Sequence, residues 1–275
     1  ISDYLESKFN SNSKSIVKDD WKNEWVYSPS SSIGNIDKLF QDLNIDKNKP
    51  LIGLATNVIW DAQIDFPSNF FNHILEWIFF TIDYFIKNQH LQLLIRVHPA
   101  EVAVQKPSKQ KVVNEILKKY GALPNNIFII KPEENYNTYK ILDKCDNILI
   151  YGSRVGVEMA ALGKTVIVAG EGFIRGKEIA IDINSIKEYE KVLSNLPIKD
   201  HMDEAKIIRA KKYAYHFFFR RMIPIKVIDE VQLGWPNFQI NKNFFKLLND
   251  KNDKGFEKIC NSIINHENFI FDEEK

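Results

Sequence analysis

From Pro50 onward the chain repeats one pattern: a short run rich in Ile, Leu and Val, a polar or glycine-rich break, then an amphipathic stretch. The runs are Leu51–Ala55, Leu91–Val97, Ile127–Ile130, Asn147–Tyr151 and Thr165–Ala169. Strands that are apolar at nearly every position need both faces covered, which is the condition of a parallel sheet flanked by helices. Between the runs, a helix capped by Ser68 would place Phe70, Ile74, Trp77, Ile78, Ile82 and Phe85 on one stripe at spacings of three and four. Further helices are expected from about Ser108 to Tyr120, from Asn137 to Lys144, and from the Gly152-Ser153 turn to just before Gly163. Five strands joined by four crossovers predict a doubly wound, Rossmann-like parallel sheet of the α/β class.

Residues 1–49, with a Ser-rich stretch from Ser28 to Ser32 and one short helix near Ile36–Leu43, read as a linker or extension. Residues 50–200 then form the sheet domain, and residues 201–275 a helical tail. Its helices are Asp203–Met222, Lys242–Leu248 and Asp253–Ile264, preceded by one at Ser185–Leu196. The start, Ile1-Ser-Asp-Tyr, carries neither an initiator Met nor a signal pattern, and reads as the start of a fragment.

The 37 basic and 36 acidic side chains leave a net charge of +1, so no overall field favours a nucleic-acid partner. Cys145 and Cys260 are far apart and lack His at ligand spacing, which argues against a disulfide scaffold and a zinc site and fits a reducing cytoplasm. The most apolar stretch, Trp77–Ile86, is interrupted by Asp83 and falls short of the roughly 20 residues that a spanning helix needs. A basic and aromatic segment, Lys206–Lys226, could lie on an anionic membrane face, but a helix whose aromatic stripe packs on the sheet while its basic face is solvated is the preferred reading.

In an open α/β sheet, ligands bind beyond the carboxyl ends of the strands. All five predicted strands end in segments suited to that: Thr56 to Gln63, His98 to Glu101, Lys131 to Glu134, Gly152 to Glu158, and Gly170-Glu171-Gly172. In the fourth, a small turn leading into a helix leaves backbone N–H groups and the Ser153 hydroxyl to hold a phosphate, with Arg154 beside it and Gly156 keeping the first turn open. Glu158, one turn on, could accept hydrogen bonds from ribose hydroxyls; a plain helix cap and a solvated glutamate explain the segment equally well. His98, fixed by Pro99, could donate to a phosphate or act as acid or base near neutral pH. Arg96 shares its strand face and could approach the phosphates or pair with a buried acid, while Glu101 could brace the His98 loop. Asn57 and Trp60 are placed at the site edge toward an acceptor, and Asp61 could act on an acceptor hydroxyl. The sequence contains no Asp-x-Asp pair for a metal-bound diphosphate, so metal-independent chemistry without a cofactor is expected.

Four segments, Asn57–Gln63, Ile95–Glu101, Tyr151–Glu158 and Thr165–Gly170, together resemble the capsule polysaccharide biosynthesis proteins, which are GT-B-fold glycosyltransferases. The resemblance spans roughly Leu51 to Gly176. It implies the C-terminal, donor-binding half of a GT-B enzyme, with His98 and Ser153 on the nucleotide phosphates and Glu158 on the ribose. Arg154 stands where relatives often carry a second hydroxyl. The implied partners are a CMP-, UDP- or GDP-sugar and a glycan or glycolipid acceptor, met in the cytoplasm or at the inner face of its membrane. A nucleotide-sugar 2-epimerase of the same fold, and a non-catalytic nucleotide-sugar-binding or assembly module, are the alternatives.

Overall fold

The computed structural model describes residues 1–10, 34–60, 69–103, 107–229, 239–248 and 253–272. Two compact units divide them: residues 1–10 and 34–211 belong to the first, and the described residues from 212 onward to the second.

The first unit opens with helices α1 (Ser2–Asn10) and α2 (Ile36–Asp42), then strand β1 (Leu51–Ala55) and α3 (Ile74–Lys87). It continues through β2 (Gln92–Arg96), the short α4 (Ala100–Ala103), α5 (Val112–Tyr120), β3 (Ile127–Ile130), α6 (Thr138–Asp143), β4 (Asn147–Ile150) and α7 (Val155–Ala161). Strands β5 (Thr165–Val168) and β6 (Ile181–Asp182) follow, with α8 (Ile186–Ser194) and then α9 (Glu204–Tyr215), whose last turn lies in the second unit. Among the described residues of the first unit the strands form one six-stranded sheet, all parallel, in the order β3-β2-β1-β4-β5-β6. The expected doubly wound α/β sheet is therefore present, widened by β6, whose two residues are too few to register as an apolar run.

Strand alternation sends successive side chains to opposite layers, and each layer has its own core. Ile52, Leu54, Leu93 and Ile95 meet α3, α5 and α8 on one face; Leu51, Leu94, Phe128 and Ile130 meet Ile36 and Leu39 of α2 and Ile141 of α6 on the other. Trp77, Ile78, Ile82 and Phe85 of α3 are fully buried, and each such side chain contributes about 1.5–3 kcal/mol by leaving water. Trp77 Nε1 donates to the Tyr189 hydroxyl at 2.9 Å, and the Thr81 and Tyr189 hydroxyls are 2.8 Å apart, so α3 and α8 share a satisfied buried polar cluster.

Several boundaries differ from the sequence expectation for local reasons. Helix α3 begins at Ile74 because His73 Nδ1 accepts from the Glu76 N–H at 3.0 Å; Phe70 precedes the helix, and Ser68 lies outside the described residues. Helix α5 begins at Val112 rather than near Ser108, and a separate short helix follows His98-Pro99. Residues 34–49, read as linker, carry α2 and its share of the second core layer.

In the second unit, a π-helical turn (His216–Arg220) follows α9 and buries Phe217 and Phe218. The expected all-helical tail is corrected here by an antiparallel pair, β7 (Ile228–Asp229) with β8 (Gln239–Ile240), ahead of α10 (Phe244–Leu248) and α11 (Lys254–Ile264). Among the described residues no helix is long and apolar enough to cross a membrane.

Candidate functional site

The strand order reverses between β1 and β4: β2 and β3 lie on one side of β1, and β4, β5 and β6 on the other. In doubly wound sheets such a reversal is where a ligand crevice forms, beyond the strand ends and between the loops that follow the two central strands. The five segments read from sequence as site-forming follow β1, β2, β3, β4 and β5 and so gather along one sheet edge.

Thr56, buried at the end of β1, ties this edge together. Its N–H donates to the Arg96 carbonyl at 3.1 Å, and its hydroxyl accepts from the His98 N–H at 3.0 Å. His98 Nδ1 in turn accepts from the Ala100 N–H at 3.1 Å, inside the turn that Pro99 starts. With Nδ1 an acceptor, a neutral imidazole carries its hydrogen on Nε2 of this half-buried ring. Thr56 was not singled out in the sequence; the signal available was only that it is the first polar residue after an apolar strand.

At the end of β4, Gly152 is buried while Ser153 and Arg154 are half-buried, and α7 starts at Val155 with Arg154 as its N-cap residue. The Arg154 side chain makes no capping hydrogen bond to this helix. The carbonyls of Ser153 and Arg154 accept from the N–H groups of Gly156 and Val157. Gly156 serves a different purpose from the one expected: a Cβ there would collide with Ile150 Cδ1, so its absence lets α7 press onto β4.

The loop after β5 closes against the same turn. Gly170 N–H donates to the Tyr151 carbonyl at 2.8 Å, and a Cβ on Gly172 would lie 3.0 Å from Gly152 Cα. Glu171 N–H donates to Asn69 Oδ1 at 2.7 Å, and its carboxylate lies 3.6 Å from Arg175 Nε. Two residues on, Phe173 is 53% exposed.

Two expected site residues have buried side chains that hold loops. Arg96 is buried, and its guanidinium donates to the carbonyls of Lys131 (2.6 Å), Glu134 (3.2 Å) and Tyr136 (3.3 Å) and to Thr138 Oγ1 (3.3 Å). It staples the β3–α6 loop instead of reaching phosphates or pairing with an acid, and burial pulls its pKa down to about 10 against the opposing charges of Glu134 and Glu133. Glu101 is also buried; its N–H donates to the His98 carbonyl at 3.0 Å and its Oε2 accepts from the Val112 N–H at 3.0 Å, so it links the His98 loop to the start of α5. Burial raises its pKa, opposed by that hydrogen bond, and its Oε1 is buried without a hydrogen-bond partner.

Asn57 is buried at the end of β1. Trp60 is not core: it is 56% exposed, with its indole N–H held by the buried Ser108 hydroxyl at 2.9 Å. Asp61 lies outside the described residues. Glu158 is buried, and its two oxygens accept from the hydroxyls of Tyr4 (2.9 Å) and Tyr139 (2.8 Å). It is not a solvated helix residue. Among the described residues, no three His, Cys, Asp or Glu side chains gather as a metal set.

Residues 7–213 match the family model of the capsule polysaccharide biosynthesis proteins. The chain belongs to this family. Among solved structures, this capsule polysaccharide biosynthesis protein is similar to the beta Kdo 2,7 transferase of Thermosulfurimonas dismutans KpsC, at 19% identity and a TM-score of 0.38, over 78% of this chain and 59% of that one. It is also similar to the beta Kdo 2,4 transferase of the same KpsC, at 15% identity and a TM-score of 0.38, over 63% and 51% of the two chains. UDP-GlcNAc 2-epimerase from Neisseria meningitidis, bound to UDP-GlcNAc, matches at 14% identity and a TM-score of 0.43, over 64% and 43%. The chain thus spans less than two thirds of each of these structures. A search of curated protein sequences gives no significant match.

Proposed function

We propose that this protein is a glycosyltransferase of capsule polysaccharide biosynthesis, and that the present chain supplies mainly its nucleotide-sugar donor site. The observation that supports this reading is the placement of His98 and Ser153 on loops at one sheet edge, flanking the point where the strand order reverses. In this reading the Nε2–H of His98 and the Ser153 hydroxyl, with the amides at the start of α7, take the phosphate oxygens of the donor. As the bond from the anomeric carbon to the nucleotide phosphate breaks, those donors stabilise the charge left on the departing oxygen. Glu158 takes the ribose hydroxyls, and exposed Trp60 faces the acceptor side. Asp61, or a base outside this chain, takes the proton from the attacking acceptor hydroxyl. The donor is a CMP-, UDP- or GDP-sugar, the acceptor a glycan or glycolipid at the cytoplasmic face of the membrane, and transfer needs no divalent cation.

Calorimetric titration with CMP, UDP and GDP tests this. One nucleotide is expected to bind selectively, and His98→Ala and Ser153→Ala each to weaken it by about ten- to a hundredfold, the range for losing one hydrogen bond to a charged group. Equal binding of all three nucleotides by wild type and both variants would remove the donor-site reading. Conversion of the nucleotide-sugar without acceptor would instead indicate a 2-epimerase, and binding without turnover beside an intact acceptor domain would indicate an assembly module.

A further inference from the structure

Glu158 sits in an arrangement that its proposed role does not by itself require. Both carboxylate oxygens already hold a hydroxyl, Tyr4 on Oε1 at 2.9 Å and Tyr139 on Oε2 at 2.8 Å, and the residue is only 1% exposed. Two hydroxyls, one on each oxygen, is the pattern a vicinal diol makes on a carboxylate. Tyr139 belongs to α6, whose neighbours are the sheet and α7, whereas Tyr4 arrives from α1, 154 residues away in sequence, which rests on α6. Leu5, 3% exposed, anchors that helix beside Tyr4.

We propose that α1 is a displaceable strap over the ribose subsite, in which the Tyr4 hydroxyl holds the place of one ribose hydroxyl on Glu158. The proposal rests on the donor-site reading above. A ribose cannot reach the buried carboxylate while Tyr4 is seated, so nucleotide binding exchanges one O–H donor for another on Oε1 while Tyr139 keeps Oε2 oriented. The exchange conserves the hydrogen-bond count, so its cost is the undocking of α1. A nine-residue helix is marginal in water once it leaves its support, and Leu5 is a buried apolar side chain that helps hold it. The apparent affinity for nucleotide is then the intrinsic affinity scaled by the fraction of molecules with α1 undocked.

The test is titration of the full chain with CMP, UDP and GDP and their 2′,3′-dideoxy forms, with hydrogen exchange read across α1. Tyr4→Phe removes the hydroxyl that competes with the ribose for Glu158 Oε1, so it is expected to tighten ribonucleotide binding by about three- to tenfold, and Leu5→Ala to act in the same direction. Exchange in α1 should rise when nucleotide is added to wild type. Glu158→Gln is expected to erase the preference for ribo over dideoxy nucleotides. Unchanged or weaker binding by Tyr4→Phe, or slower exchange in α1 on adding nucleotide, overturns the strap while the ribose reading stands if Glu158→Gln still erases the preference. An undiminished preference in Glu158→Gln overturns the ribose reading and the strap with it, as does failure of wild type, Tyr4→Phe and Leu5→Ala to bind any of the three nucleotides.

Discussion

Arg96→Gln separates a loop staple from a phosphate ligand. The guanidinium makes one short bond, 2.6 Å to the Lys131 carbonyl, and three longer ones at 3.2–3.3 Å to Glu134, Tyr136 and Thr138. Taking about 1.5–2 kcal/mol for the short charge-assisted bond and about 0.5–1 for each of the others gives about 3–5 kcal/mol. Glutamine is shorter and recovers one carbonyl at most, about 1 kcal/mol, and removing a buried charge returns part of its desolvation cost. The expected loss is therefore about 2–4 kcal/mol, placed on the β3–α6 loop. Urea unfolding followed by circular dichroism should show a midpoint lowered by about 1 M or more, since slopes are about 1–3 kcal/mol per molar. Arg96→Lys should behave similarly, because one ammonium cannot span the same set of acceptors. Nucleotide affinity of the folded variant, measured without urea, should stay within about threefold of wild type. Stability unchanged to within about 0.5 kcal/mol together with a tenfold or greater loss of nucleotide affinity would refute the reasoning and return Arg96 to the phosphates.

Gly156→Val puts a branched side chain onto Ile150 and Val166, and thermal melting should register a loss of about 1–3 kcal/mol from overpacking. The raised pKa of Glu101 means that the folded state binds its proton more tightly than the unfolded chain does. Its stabilising contribution is thus complete below the ordinary value of 4.5 and is lost as pH climbs from there through the raised folded value, so Glu101→Gln should flatten the decline in urea midpoint across that interval; a parallel pH profile would count against it. Trp60→Ala should raise the acceptor KM several-fold while nucleotide Kd stays unchanged, whereas a matching loss in Kd would place the indole on the donor instead. Excess chelator is expected to leave transfer within about twofold, and a requirement for added Mg²⁺ would overturn the cation-free reading drawn from the missing Asp-x-Asp.

The sheet was legible because burial on both faces leaves a mark on every strand residue: β1 and β3 have the same bounds in the fold as in the apolar pattern, and β2, β4 and β5 differ only at their ends. Helix starts were less legible, since a cap depends on which side chain happens to meet a free N–H. His73 fills that place for α3 through its ring nitrogen, a role that composition does not advertise. β6 and the β7–β8 pair were missed because two-residue strands carry no periodicity.

For the site, motif spacing identified which residues share an edge but not how each is held there. His98 and Ser153 follow their strands directly, so strand direction alone carries them to the crevice. Arg96 is one position inside its strand end, and there the outcome depends on whether a loop offers carbonyls within reach; the Lys131–Thr138 segment does, and sequence has no means of displaying it. Glu158 shows the same limit over a longer range. Its spacing from Ser153 fixes its helix position, and the Tyr139 contact follows from α6 packing beside α7. The Tyr4 contact follows from nothing local: it joins residues 154 apart and comes from a segment whose composition reads as linker. A contact of that kind is where a polar segment earns a functional reading, because a hydroxyl seated on a buried carboxylate must be satisfied again wherever it goes, by water or by whatever replaces it.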